Sequence, residues 1–297
     1  MGEVCSGSTI LDILLGSHPE VQSAGELSCL PKALMGDGNC ACGRSVFRCL
    51  LWSKVLKRWL RQGREAHVIE RYAFLEREFG RSGSLPTLMM ERRSRSRMLR
   101  EYTTLTTRLF RSIQAVSRKP IIIDSSKNPA RALALSMMPK IHFCVIHLVR
   151  DGRGVVYSRQ SILSKTKRRA LQEGSPVSTW RASLSWRWVN FLSGQILQAD
   201  GLSGFRMRYE DITERTEATF HRIGSLLNLD LDAIRCDIEN GKRIPVGHLL
   251  TGNRARMGKE IRLFPDVAWK SRLAERDRWI FRLLAGPALG KYGYSID

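Results

Sequence analysis

Small polar residues at the start of the chain are spaced to hold an anion. Gly2-Glu3-Val4-Cys5-Ser6-Gly7-Ser8-Thr9 runs straight into the apolar stretch Ile10 to Leu15, following the pattern G-x-x-x-x-G-x-[ST] of a phosphate-binding loop. Such a loop aims backbone N–H groups at an anion and seats it at a helix N-terminus, where the peptide dipoles stabilise negative charge. Ser8 stands where a nucleoside triphosphatase carries its lysine. That argues against ATP or GTP hydrolysis and leaves a diphosphate-like or sulfo-phosphate ligand open. Taken alone, the octapeptide fits an ordinary Gly/Ser turn before a helix equally well.

A second group with anion chemistry is Arg150-Asp151-Gly152-Arg153-Gly154-Val155-Val156-Tyr157-Ser158-Arg159, which follows the apolar run Ile141 to Val149. Arginine grips a phosphate bidentately, and the Ser158 hydroxyl, carried by the following helix, would add a neutral donor to the same anion. The alternative is a surface arginine with a helix-capping serine.

These residues need elements to position them. Pro120 to Asp124, Ile141 to Val149 and Gly204 to Tyr209 read as strands, each ending in polar residues that would meet at one sheet edge. Their alternation with helical segments predicts a parallel sheet with crossover helices, the sheet edge being where open α/β folds bind ligands. Residues 44–117 read as a basic helical insertion, and residues 160–200 as a second one. The basic run Glu91 to Arg97 reads as a solvated face. Trp180, Leu184, Trp188 and Phe191 fall near one helical face and are expected to pack into the core. Composition places no linker, so residues 1–297 are read as one domain.

Lys and Arg total 49 against 28 for Asp and Glu, a formal charge of +21. That balance predicts an anionic partner. No helix-turn-helix, zinc-finger or RNP-type pattern accompanies it, so nucleic acid is not the expected partner. No apolar segment approaches the ~20 residues of a membrane span, and no signal-peptide pattern opens the chain, so a cytoplasmic protein is expected. Three of seven cysteines cluster as Cys40-Ala41-Cys42 and Cys49, with Cys29 upstream. A metal site there would need a fourth ligand, Cys29 or His67; reduced thiols or an occasional disulfide are the other readings.

Together the two anion-binding segments resemble the 3′-phosphoadenylyl-sulfate (PAPS)-dependent sulfotransferases, particularly the bacterial and carbohydrate or tyrosylprotein branch. Gly2 to Thr9 is similar to that family's phosphosulfate loop and Arg150 to Ser158 to its 3′-phosphate segment. Further similar segments follow in the family's order: Gly25-Glu26-Leu27, Asp124-Ser125-Ser126-Lys127, Arg208-Tyr209-Glu210-Asp211, and Gly252-Asn253 with Arg256 leading to Asp266 and Trp269.

The resemblance implies a P-loop-like three-layer α/β fold with a central parallel sheet and helical insertions, PAPS as donor, and a small-molecule or glycan acceptor. Cys5, Ser6, Gly7, Ser8 and Thr9 would hold the 5′-phosphosulfate, and Arg150, Ser158 and Arg256 the 3′-phosphate. Lys127 would place a cation at the bridging oxygen, oriented by Asp124, and Glu26 would be the general base, with His18 as the runner-up. The scheme requires no metal. Two departures stand out. Cys5 replaces the loop's basic residue and, among cations at a helix N-terminus, is expected to have a lowered thiol pKa. The strand that feeds the loop is missing, so either the true start lies upstream or the chain is a damaged paralogue. A sulfonucleotide-binding pseudoenzyme and a basic nucleic-acid-binding protein are the alternatives, and the oligomeric state is open.

Overall fold

The structure is a computed structural model and describes residues 1–36, 38–60, 65–138, 140–167, 178–199, 202–252 and 254–296. Asn253, and the parts of the expected helical insertions at 61–64, 168–177 and 200, lie outside the described residues.

Four strands form two parallel pairs. Val21–Ser23 (β1) pairs with Ile121–Ile123 (β2), Val21 opposite Ile121, and Cys144–Val149 (β3) pairs with Ser203–Arg208 (β4), Cys144 opposite Ser203. The three strands predicted from apolar runs are present as β2, β3 and β4. β1 has only three residues, Val-Gln-Ser, too few to show a period. Ile244–Pro245 (β5) and Glu260–Ile261 (β6) add a short antiparallel pair.

The expected parallel strands are present as two hydrogen-bonded pairs. Met1 runs beside β3, its amino group donating to Ile146 O at 2.7 Å while Leu148 N donates to Met1 O at 2.9 Å. Gly2 N then donates to Lys127 O, at the exit of β2, at 3.1 Å. Next to this crossing a cavity of about 460 Å³, lined by Ile121–Ile123 on one side and Cys144–Ile146 on the other, separates the pairs. β2 and β3 share no ladder hydrogen bonds.

Helices cover these strands. Ser8–Gly16 (α1) follows the glycine-rich loop and Leu30–Met35 (α2) comes after β1. Trp52–Trp59 (α3), Glu65–Phe79 (α4), Leu85–Ser94 (α5) and Arg97–Ser117 (α6) make the predicted helical insertion. α3 buries Trp52, Val55, Leu56 and Trp59, the i, i+3, i+4, i+7 stripe of an amphipathic helix. Ser96 starts α6 by accepting Leu99 N at 3.1 Å, and Asn128 starts Pro129–Leu135 (α7) by accepting Ala130 N at 2.8 Å. From α7, the fully buried Arg131 bonds Asp124 Oδ2 at 2.9 Å beside β2 and pairs with Glu76 of α4. Tyr102 of α6 completes this network by donating to Glu76 Oε2 at 2.7 Å. The insertion is thereby fastened to the strand that leads to Lys127.

Gly152–Lys167 (α8) and Thr179–Leu197 (α9) follow β3; Asp211–Glu214 (α10), Thr216–Leu227 (α11) and Asp232–Glu239 (α12) follow β4; Ala268–Arg272 (α13) and Glu275–Lys291 (α14) end the fold. α9 corrects one expectation. Trp180, Leu184, Trp188 and Phe191 are exposed, and the buried face carries Ala182, Ser183, Trp186, Asn190, Ser193 and Ile196. The buried face wins through specific partners: Trp186 Nε1 donates to Arg150 O at 2.9 Å, and His147 Nε2 meets Asn190 Oδ1 at 3.0 Å. Small residues let α9 approach the strands closely. The aromatic stripe stays outside, with Trp188 stacked on Phe191.

Candidate active site

The glycine-rich loop is shaped by its neighbours. A Cβ at Gly2 would lie 2.3 Å from Leu148 O, and one at Gly7, where φ is +90°, would lie 2.1 Å from the Tyr209 ring. Both positions therefore exclude side chains. Ile10 N and Leu11 N donate to Gly7 O at 2.9 and 3.1 Å, starting α1, so the amides of the first turn point back into the loop without intrahelical partners. The buried hydroxyls of Ser6 and Ser8 have no hydrogen-bond partner among the described residues. Burying an unpaired hydroxyl costs about 1–3 kcal/mol, so two of them at a helix N-terminus fit a site completed by a polar ligand.

Cys5 behaves differently from the expectation. Its backbone has φ +68°, its carbonyl accepts Arg150 Nη1 at 2.6 Å, and its side chain belongs to the apolar cluster of Val149, Val155 and Trp186. Burial pushes the thiol pKa up, outweighing the lowering effects of Arg150, Arg159 and Lys127. The expected thiolate is thus replaced by a neutral, buried thiol.

Glu26 and Lys127 meet directly: the ammonium pairs with Glu26 Oε1, and both side chains are largely buried. Gly25, with φ +76°, makes the turn that delivers Glu26, since a Cβ there would meet Thr251 O at 2.6 Å. Glu26 N donates to Thr251 O at 3.3 Å and Thr251 Oγ1 donates to Glu26 O at 2.7 Å. Asp124 is not the partner of Lys127 that its sequence position suggests. It is occupied by Arg131, Ser126 N at 2.9 Å and Leu27 N at 3.2 Å, and so shapes the turn before Lys127.

Asp12 is the positioning residue that sequence reading missed. Buried in α1, it accepts Ser23 Oγ at 2.6 Å and Gly25 N at 3.0 Å, and burial pushes its carboxyl up to about 7. An Asp inside an otherwise apolar stretch, Ile10 to Leu15, was the available signal. His18, the runner-up base, lies past the far end of α1, roughly 13 Å from the loop at 1.5 Å per residue. Its Nε2 faces Asp230 O at 3.1 Å and its Nδ1 accepts Glu20 N.

Arg150 leaves β3 buried against the loop, with its guanidinium 5.5 Å from the Tyr209 ring centre, one nitrogen on Cys5 O and another paired with Asp266. Arg256 donates to Asn39 O at 3.0 Å. A Cβ on Gly252 would contact Thr9 Oγ1 at 3.0 Å and Arg256 Cδ at 3.7 Å, so Gly252 lets Thr9 and Arg256 flank one point. Ser158 is half-buried in α8. Its neighbour Arg159 reaches Glu3 Oε1 at 3.1 Å, and Ser185 Oγ donates to Glu3 Oε2 at 2.9 Å, tying the loop to α8 and α9. A separate cavity of about 870 Å³ opens beyond Asp151 and Asp266, lined by Arg153, Trp269 and Phe281, away from Glu26 and Lys127.

A sequence profile of the sulfotransferase family matches residues 1–233. The chain belongs to the sulfotransferase family. Two solved structures resemble this chain. The sulfotransferase domain from the curacin biosynthetic pathway is 18% identical, with 95% of each chain covered and a TM-score of 0.46. The sulfotransferase domain from the Synechococcus PCC 7002 olefin synthase is 17% identical, covering 95% of this chain and 91% of that one at a TM-score of 0.44. No curated protein matches the chain significantly. The family match contains the loop, Glu26, Lys127, Arg150 and Ser158, whereas Arg256 and Asp266 lie beyond it. In this chain the parallel strand pairs and the helices around them bring a helix N-terminus, an ammonium and a carboxylate together. That set can bind a phosphate-like anion, neutralise charge on it and accept a proton. Among the described residues no helix is long and apolar enough to cross a membrane.

Proposed function

We propose that the chain moves the sulfuryl group of PAPS to an acceptor hydroxyl of a carbohydrate or other small molecule, by in-line transfer. The observation that carries the reading is the pair of unpartnered buried hydroxyls, Ser6 and Ser8, at the start of α1, with Lys127 beside the loop. The loop amides and hydroxyls would receive the 5′-phosphosulfate, and Arg150, Ser158 and Arg256 the 3′-phosphate, so remote binding energy holds the donor in line.

The Lys127–Glu26 pair suggests how one site serves both halves of the step. While paired, Glu26 has Oε1 occupied by the Lys127 ammonium, so that oxygen is not open to an acceptor proton. Donor binding draws Lys127 to the bridging oxygen, where charge develops as the S–O bond breaks, and leaves Glu26 to take the acceptor proton. Asp12 and Thr251 hold the Gly25–Glu26 turn during this exchange.

A second reading, a sulfonucleotide-binding protein without turnover, is favoured by Cys5, whose neutral thiol supplies no charge to the loop. Calorimetry tests the shared premise: 3′,5′-adenosine bisphosphate should bind at least about tenfold more tightly than 5′-AMP, about 1.4 kcal/mol, and Arg150→Ala should remove most of that preference. Equal affinities for the folded wild type would refute the donor assignment. Binding with no transfer to any of a panel of hydroxyl acceptors would select the second reading.

A further inference from the structure

Three cysteines and a histidine far apart in sequence converge on one point beside the candidate active site. The turn Cys40-Ala41-Cys42-Gly43-Arg44 is closed by Gly43 N donating to Cys40 O and Cys40 N donating to Arg44 O, both at 2.9 Å, between the bridged residues Asn39 and Ser45. Gly43 has φ +83°, the left-handed conformation that lets the chain reverse at once. Cys40 and Cys42 are thereby brought to one side of a tight turn. Cys49 follows a single helical turn, Val46–Arg48, with its N–H on Ser45 O at 2.9 Å.

His248 completes the group from the other half of the chain. Its Nδ1 lies 3.3 Å from Cys49 Sγ and 3.8 Å from Cys40 Sγ, and the four ligand atoms of Cys40, Cys42, Cys49 and His248 all lie within 4.8 Å of one another. The imidazole is held in place by its backbone, since Trp52 Nε1 donates to His248 O and Ala41 N donates to Leu249 O, both at 2.8 Å. Tetrahedral zinc with Zn–S of about 2.3 Å and Zn–N of about 2.0 Å requires S···N of about 3.5 Å and S···S of about 3.8 Å. The observed separations bracket the first value. A disulfide would use two sulfurs and leave the third cysteine and the imidazole without a role. From the geometry we propose that Cys40, Cys42, Cys49 and His248 bind one structural Zn²⁺.

Four protein ligands close the coordination sphere, so the ion has no open position for substrate. Binding deprotonates three thiols, whose protons leave to solvent, and the neutral imidazole donates its Nδ1 lone pair. The ion's effect is mechanical. It joins the 39–49 segment to the 246–252 loop, whose Thr251 holds Glu26 and whose Gly252 lies between Thr9 and Arg256. Arg256 itself donates to Asn39 O, next to Cys40. The fourth ligand is neither Cys29 nor His67, which the sequence offered, because His248 arrives only through the packing of its loop on Trp52.

The test is elemental analysis of the full chain, purified reduced and without chelator or metal-affinity resin. About one zinc per chain is expected. Co²⁺ replacing it should give the intense visible bands of a tetrahedral thiolate site, lost on adding Zn²⁺. Cys42→Ser and His248→Ala should each lower zinc retained after dialysis at least about tenfold, while Cys236→Ser, a distant exposed cysteine, should retain it. Because loss of folding in the first two variants would also release zinc, the wild-type zinc content and Co²⁺ spectrum stand as the primary readouts. Folded wild type that neither contains zinc nor forms the Co²⁺ spectrum overturns the proposal. So does a disulfide between two of Cys40, Cys42 and Cys49, located by peptide mass spectrometry without reduction.

Discussion

Asp266 offers the sharpest test of how the donor enters. Its carboxylate pairs with Arg150, whose side chain is 9% exposed against 24% for Asp266. A donor 3′-phosphate gripped by Arg150 must compete with this carboxylate. Two unit charges about 4 Å apart at an effective dielectric of 20 interact by about 4 kcal/mol, and the exposed side of Asp266 together with the hydrogen bond an amide retains should reduce the difference to about 1–2 kcal/mol. Asp266→Asn should therefore strengthen binding of 3′,5′-adenosine bisphosphate roughly 5- to 30-fold and leave 5′-AMP nearly unchanged. The same variant leaves Arg150 buried without a counter-charge, so its ligand-free Tm should fall by several degrees, and saturating bisphosphate should restore it by mass action. Isothermal titration against both nucleotides, with thermal unfolding in parallel, measures every part. If Asp266→Asn weakens the bisphosphate, or strengthens both nucleotides alike, Asp266 is not the occupant that the 3′-phosphate displaces.

Three other outcomes are expected. With a known acceptor, Glu26→Gln should lower kcat by about 10² or more with little change in donor affinity, whereas Lys127→Ala should weaken both; an unchanged kcat for Glu26→Gln would remove Glu26 as the base. Asp12 and Glu76 have carboxyls raised to about 7 by burial, so the folded state binds more protons than the unfolded chain. Stability from these groups is full below their ordinary pKa values and is lost as pH rises to about 7, so Tm should fall across that window; Asp12→Asn should flatten part of the fall and leave the Glu76 part. Burial of the Cys5 thiol should make its alkylation by iodoacetamide slower than that of exposed Cys236, read by peptide mass spectrometry, and bisphosphate seated in the proposed site should slow it further by covering the loop that carries Cys5. Alkylation of Cys5 at one rate with and without saturating bisphosphate would separate this loop from the donor.

Much of this protein was determined by local sequence. Gly2 and Gly7 mark a loop because no Cβ fits there, and the apolar runs at Ile121 and Cys144 form strands because β-branched apolar residues favour extended, packed backbone. α3 and α6 follow from their periodic stripes, and the order of Glu26, Lys127 and Arg150 behind their turns was legible as well. What required the tertiary structure were choices between equivalent local options. Period alone cannot say which side of α9 faces inward; Trp186 on Arg150 O and Asn190 on His147 decided for the less apolar face. Asp124 and Glu26 are both placed to meet Lys127, and buried Arg131, brought from α7 under the helical insertion, claimed Asp124 and left Glu26. β1 was invisible because three residues carry no period, and His248 because nothing near it in sequence points to cysteines about 200 residues away. In each case the deciding partner lies far along the chain. Local sequence fixes backbone preference and periodicity, whereas the pairing of buried charges and ligands depends on which distant groups the packed core excludes from water together.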